Sequence, residues 1–310
     1  NYGLILQGLS KLKEAELSYR KAIEINPSLA EVHSNLGIIL RNQGKLKEAE
    51  LSTRKAIEIK PDYAIAYSNL GIILRNQGKL KEAELSTRKA IEIKPDYAMA
   101  HSNMGNILKD LGKLKEAELS TRKAIEIKPN YAIAYSSLAI ILRNLGKLKE
   151  AELSIHKAIE IKPDYAIAYS SLGNILKDLG KLNEAELSYR KAIEIKPDLA
   201  EVHYNLLFIL RYLGKFKELL LLSESTLASR SIDQGYKLLA SLEITIAHFI
   251  QGDFSKTILN LNRTNESIKR GDLDFIKESK NKKNTLVYSQ FITSLYPHLL
   301  KENNNQHSEL

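Results

Sequence analysis

The chain has 310 residues, 44% of them apolar and 27% charged, which is enough to bury a core and argues against intrinsic disorder. It contains no cysteine, which excludes disulfide scaffolds, thiol nucleophiles, zinc ribbons and iron–sulfur sites and fits a reducing, cytoplasmic compartment. The formal charge of +9 is dispersed: residues 64–97 carry six basic side chains against four acidic ones, so a mild excess repeats along the chain, and no specific nucleic-acid partner is expected.

Six of the seven prolines (Pro27, Pro61, Pro95, Pro129, Pro163 and Pro197) stand 34 residues apart. Gly44, Gly78, Gly112, Gly146, Gly180 and Gly214 keep the same step, as do Ala49, Ala83, Ala117, Ala151 and Ala185, so the chain is an internal repeat. A partial first repeat opens it. Asn1 aligns with Asn35 and Gly3 with Gly37, so the chain is expected to start inside a first helix and to be a piece of a longer protein.

Five regular repeats follow over residues 30–199, and residues 30–63 differ from 64–97 only at the second, third and fourth positions. In each repeat Tyr67, Leu70, Ile73 and Leu74 or their equivalents recur at helical spacing up to Gly78. Leu80, Ala83, Thr87, Ala90 and Ile91 do so up to Pro95, which predicts two helices. Gly78 supplies the left-handed residue that ends the first helix, Pro95 stops the second, and Asp96 is placed to cap the next. Gly71 and Ala83 mark where the two helices approach closely. Such a pair cannot bury both its faces alone, so neighbouring repeats must stack.

The sixth repeat, residues 200–233, is degenerate: Leu207, Leu219 and Thr226 replace glycine and two alanines, and no proline closes it. Its first helix carries Tyr204, Phe208 and Tyr212 four apart, an aromatic face that is either covered by a terminal cap or a ligand hot spot. Gly252 and Phe254 echo the repeat and predict a divergent helix pair over 234–270. A polar, lysine-rich run (272–284), a last helix (286–300) and a tail (301–310) complete a cap region, 234–310.

The pattern Tyr67, Leu70, Gly71, Leu74, Gly78, Ala83, Ala90, Pro95 resembles the tetratricopeptide repeat family, in phase six times over residues 1–233. It departs at Thr53, Thr87 and Thr121, where the family often has an aromatic, and at Ala139 and Leu207, which replace the first glycine. The resemblance implies an all-α, right-handed superhelix of helix pairs. Its stacked first helices line a concave groove for an extended peptide or protein partner, with no catalysis and no cofactor in these residues.

Carried over repeat by repeat, the groove positions are Asn35, Asn69, Asn103, Ser137, Ser171 and Asn205. A carboxamide donates to a carbonyl and accepts from an amide, so such a ladder reads peptide backbone; the alternative is that it satisfies neighbouring helices. The array resembles that of the O-linked N-acetylglucosamine transferases. A second implied role is therefore the substrate-recruiting arm of a larger transferase whose catalytic domain lies outside this chain. Arg41, Arg75, Lys109, Arg143, Lys177 and Arg211 recur six positions further on, at the groove edge, and favour an acidic partner. Asn42, Asn76 and Asn144 alternate beside them with Asp110 and Asp178, which makes a partly neutralised, solvated rim. The clamp that some family members use on chaperone tails needs lysines and an arginine where this chain has Ser34, Ile65 or Met99, and Asn103, so that partner is not expected.

His33, His101 and His203 take the aromatic position held elsewhere by Tyr67, Tyr135 and Tyr169, which reads as packing, not metal binding. Residues 37–45 imitate a phosphate loop, but six residues separate the glycines and Leu46 replaces the hydroxyl. Residues 262–264 and 265–267 are glycosylation sequons without a secretory signal. No apolar run approaches the roughly 18 residues of a membrane-spanning helix, so no membrane partner is expected.

Overall fold

The computed structural model describes residues 11–229 and 231–267; the opening residues 1–10 and the expectations for 272–284, 286–300 and 301–310 lie outside them. Among the described residues every regular element is an α-helix, and none is long and apolar enough to cross a membrane. The chain divides into two compact units, Asn1–Pro163 and Asp164–Leu310. In the first, α1 (Leu12–Ile25) precedes the pairs α2 (Ala30–Asn42) with α3 (Leu46–Ile59), α4 (Ala64–Asn76) with α5 (Leu80–Ile93), α6 (Ala98–Asp110) with α7 (Leu114–Ile127), and α8 (Ala132–Asn144) with α9 (Leu148–Ile161). The second holds α10 (Ala166–Asp178) with α11 (Leu182–Ile195), α12 (Ala200–Tyr212) with α13 (Phe216–Ala228), and α14 (Gln234–Ile250) with α15 (Phe254–Ser267).

The helix ends have local causes. At Gly78 φ is +79°, and the Lys79 N–H returns 2.9 Å to the Leu74 carbonyl, satisfying an acceptor that the finished helix leaves open. The second helix stops at Ile93, since the residue before Pro95 is barred from helical dihedrals. Asp96 does not cap the next helix as expected. Tyr97 occupies that position without a side-chain cap bond, and the Asp96 backbone carbonyl instead accepts the Ala98 N–H at 3.2 Å. Histidine at the fourth position of a first helix secures the same loop: Nε2–H of His33 donates to the Pro27 carbonyl at 3.0 Å, and that of His101 to Pro95 at 2.9 Å. In the second unit His203 does the same to Pro197 at 2.8 Å.

Within each pair, two positions meet at the close approach. A Cβ at Gly71 would come within 2.1 Å of Thr87 Oγ1 and 3.3 Å of the Ala83 carbonyl oxygen, and Gly37 and Gly105 meet Thr53 and Thr121 alike. The same two positions hold Ala139 with Ile155 in the first unit, and Gly173 with Tyr189 and Leu207 with Ser223 in the second, every one of them buried. The departures from the family pattern therefore fall on these two positions. At Leu207 the larger first-helix residue goes with the smaller Ser223 and at Gly173 the bare glycine admits Tyr189, as a close-packed interior requires, whereas at Ala139 and Ile155 both residues are larger than the Gly and Thr of the other repeats.

Neighbouring first helices of the first unit pack directly on one another. Neighbouring second helices are bridged by ions: Lys45 reaches Glu16 at 2.8 Å and Arg20 reaches Glu48 at 2.8 Å. Lys79 with Glu50, Lys113 with Glu84 and Lys147 with Glu118 repeat the bridge at 2.9–3.0 Å. The hydrogen bond from Lys45 holds the Glu16 carboxyl down to about 2, and Glu84 and Glu118 are lowered first by Lys113 and Lys147. With half-exposed cations each pair contributes about 0.2–1 kcal/mol, so the ladder matters through its repetition.

Candidate functional site

In α4, Ala64 and Ala66 face the core, so Ile65 between them must point away and is 42% exposed. Met99 and Ile133 repeat this at 40% and 49%. Seven, ten and eleven residues further along the same helices come Ile72, Arg75 and Asn76, then Asn106, Lys109 and Asp110, then Ile140, Arg143 and Asn144. Helical periodicity sets these on one open face, apolar toward its start and polar toward its end. Ile65, Met99 and Ile133 were not among the expected site residues, although an Ile between two core alanines was a sufficient signal for them.

The ladder stands beside this face and is largely spent inside the fold. Asn69 Nδ2 donates to Ser34 Oγ at 3.0 Å and Asn103 Nδ2 to Ser68 Oγ at 2.9 Å, each pinning one first helix to the one before it. Asn69, Ser137 and Ser171 are buried, whereas Asn35, Asn103 and Asn205 keep intermediate exposure. Where Ser137 replaces asparagine the register leaves Ser102 Oγ buried without a partner, and Asn106 Nδ2 meets Ser137 Oγ at 3.1 Å instead. In the second unit Asn205 Nδ2 lies 3.5 Å from Asn174 Oδ1, which also accepts the Tyr189 hydroxyl at 2.9 Å.

The cations are not equivalent. Arg75 Nε lies 2.6 Å from Asp110 Oδ2 and Lys109 Nζ 2.8 Å from Asp110 Oδ1. Burial pushes the Asp110 carboxyl up, but the bonds from Lys109 and Arg75 outweigh it and hold it below the usual carboxylate range. Arg41 donates to Asn42 Oδ1, and Arg143 and Lys177 are half-buried. In the second unit Lys177 lies 5.6 Å from the Phe208 ring, and Arg211 lies 5.3 and 5.1 Å from the Phe208 and Tyr212 rings. Arg211 Nε is also 2.8 Å from Glu243 Oε2 on α14, a carboxylate only 2% exposed.

The aromatic face therefore divides. Tyr204, 7% exposed, packs with Leu239, Leu242 and Leu261 beneath α14 and α15, which makes it a packing residue with no surface to offer. Phe208 is half-covered, and Tyr212 is 61% exposed with its ring 4.6 Å from that of Phe208. Clefts of about 490 and 560 Å³ open between second helices, over His33, Leu36 and Leu40 and over His101, Met104 and Leu108. Among the described residues no three His, Cys, Asp or Glu side chains converge as metal ligands would.

Paired helices on a 34-residue period, with coupled packing within each pair and an open first-helix face, define an all-α helix-pair repeat protein. Tetratricopeptide repeat models match residues 3–44, 30–63, 64–97, 98–131, 121–152 and 173–206, and the chain belongs to the tetratricopeptide repeat family, a family of protein-interaction modules. Among solved structures, the thermophilic tetratricopeptide repeat protein TTC0263 of Thermus thermophilus is similar over 58% of this chain and 98% of its own, at 20% identity and a TM-score of 0.54. PilF of Pseudomonas aeruginosa is similar over 70% of this chain and 90% of its own, at 16% identity and a TM-score of 0.54. YrrB, described as having an unusual peptide-binding site, is 27% identical over 59% of this chain and 95% of its own, at a TM-score of 0.43. No curated protein matches the chain.

Proposed function

We propose that the first-helix face of the first unit is a non-catalytic recognition surface for an extended segment of a partner protein. The observation that carries this is the row Ile65, Met99 and Ile133, three large apolar side chains 40–49% exposed at the same position of consecutive first helices. Exposed apolar side chains gathered on one face, as opposed to scattered singly, mark interaction surfaces. Covering the exposed part of each contributes about 1 kcal/mol, and the row about 3 kcal/mol, a dissociation constant of roughly 10 mM. The partner segment must therefore also engage the polar end of the face, where the Arg and Lys row favours acidic side chains. Asn69 and Asn103 each commit one of two amide hydrogens to Ser34 or Ser68, so these ladder amides are helix pins before they are readers of peptide backbone. The transferase-arm reading leaned on that second role and draws no separate support from the geometry. A reducing, cytoplasmic setting belongs to the same reading, from a chain without cysteine.

The test is to pan a displayed twelve-residue peptide library on the protein and on a triple variant, Ile65→Ser, Met99→Ser, Ile133→Ser. Peptides selected by the parent are expected to lose at least tenfold in affinity for the variant, with helicity and melting temperature retained. Equal binding to both proteins would remove the row from the function.

A further inference from the structure

One cation of the first-helix face lacks the counterion that its neighbours share. Arg75 and Lys109 both reach Asp110, whereas Arg41 donates from Nε and Nη2 to the neutral Asn42 Oδ1 at 3.3 and 2.9 Å, and among the described residues it has no carboxylate partner. The repeat register supplies the reason. Asp110 is the thirteenth residue of its repeat and pairs with the twelfth residue, Arg75, of the repeat before; one repeat earlier the thirteenth residue is Asn76. The position that delivers a carboxylate to Arg75 thus holds an amide opposite Arg41. Burial alone moves the Arg41 pKa, and it moves it down, with no neighbouring charge to offset it. A half-buried guanidinium without an anion is held at a desolvation cost that a well-placed anion offsets. Asn42 takes Nε–H and one hydrogen of Nη2, and the outward hydrogens of Nη1 and Nη2 remain as a fork of parallel donors that matches the two oxygens of a carboxylate.

We propose that Arg41, between Asn42 and Asn76, is a carboxylate seat that takes an Asp or Glu side chain of the bound partner segment. The proposal rests on the recognition reading above and narrows its ligand to one carrying an acidic residue at the α2 end of the face.

The experiment follows the Arg Nε–Hε resonances of the full chain, with the Arg41 signal assigned by an Arg41→Lys variant. The probes are a seven-residue peptide, blocked at both ends, that alternates glycine with isoleucine, glutamate and isoleucine; the same peptide with glutamine for glutamate; and inorganic phosphate. The glutamate peptide is expected to shift the Arg41 signal and to bind about tenfold tighter than the glutamine peptide. Asn76→Asp, which installs the counterion that Arg75 already has, is expected to reduce its affinity to that of the glutamine peptide. The reciprocal Asp110→Asn is expected to make the Arg75 signal respond as well. Equal affinity for both peptides, or a glutamate preference that survives Asn76→Asp, overturns the seat and leaves the recognition reading standing. If neither peptide binds, the recognition reading itself fails and the seat falls with it. A shift of the Arg41 signal by phosphate alone makes Arg41 a small-anion site and overturns the assignment to a partner side chain.

Discussion

Neighbouring repeats of the first unit are joined twice, and the two joins use different chemistry. First helices touch directly and are pinned by neutral bonds such as Asn69 to Ser34 and Asn103 to Ser68. Second helices are bridged by Lys–Glu and Arg–Glu pairs. Their sequences differ in the same sense: α3, α5 and α7 are identical, while α4, α6 and α8 change both at the open face, with Ile65, Met99 and Ile133 or Asn76, Asp110 and Asn144, and inside, with Leu70, Met104 and Leu138 or Gly71, Gly105 and Ala139. Each ladder glutamate serves cations of its own helix and of the next repeat, so altering one breaks two bonds. Residues of the open face such as Ile65 carry no such obligation and are free to differ. The second helices form a frame, and the recognition proposed above falls to the first helices.

The largest effect is expected where the two sets of helices meet. Gly71→Leu places a side chain where Thr87 Oγ1 already stands and should cost about 3 kcal/mol, while the double change with Thr87→Ala, which removes that hydroxyl, should recover part of it. Urea denaturation of both variants measures this, and a double variant no more stable than the single one would break the pairing of Gly71 with Thr87. Next in size is acid loosening of the second-helix join alone. The folded pKa of Glu16 is held down to about 2, and those of Glu50, Glu84 and Glu118 are lowered, so their contribution is complete above the ordinary value near 4.5 and is lost as pH falls below it toward 2. Discounted for half-exposed partners, the loss between pH 7 and pH 3 should reach about 2 kcal/mol. Replacing the four glutamates by glutamine should flatten that slope, and an unchanged slope would take the ladder out of the stability of the array. The smallest effect tests the first-helix join. Ser137→Asn offers the unpartnered Ser102 Oγ the pin that Ser34 and Ser68 enjoy, and should raise stability by about 0.5–1 kcal/mol in thermal melts.

Much of this was legible in residue order. Gly78 and Pro95 end helices by their own dihedral limits, and the packing role of His33, His101 and His203 followed from their alternation with Tyr67, Tyr135 and Tyr169. Asp96 misled because a proline followed by an acid is a frequent helix start, whereas here the turn runs one residue longer and leaves the cap position to Tyr97. Tyr204, Phe208 and Tyr212 looked alike at four-residue spacing, and only α14 and α15 divided them by covering the first and leaving the last exposed.

Whatever depends on neighbours within one turn was determined by the sequence itself: the 34-residue period, the two helices of each repeat, their ends and their apolar stripes. Periodicity and the φ limits of glycine and proline act locally and identically in every repeat. Which polar side chains are consumed and which remain available was decided by stacking alone. Ser34 and Asn69, or Arg75 and Asp110, are 35 residues apart in the chain and become neighbours only when one repeat lies against the next. For the same reason the exchange of Asp110 for Asn76 one repeat earlier bears on Arg41 only through the stacking of repeats, which no pattern within its own helix could reveal.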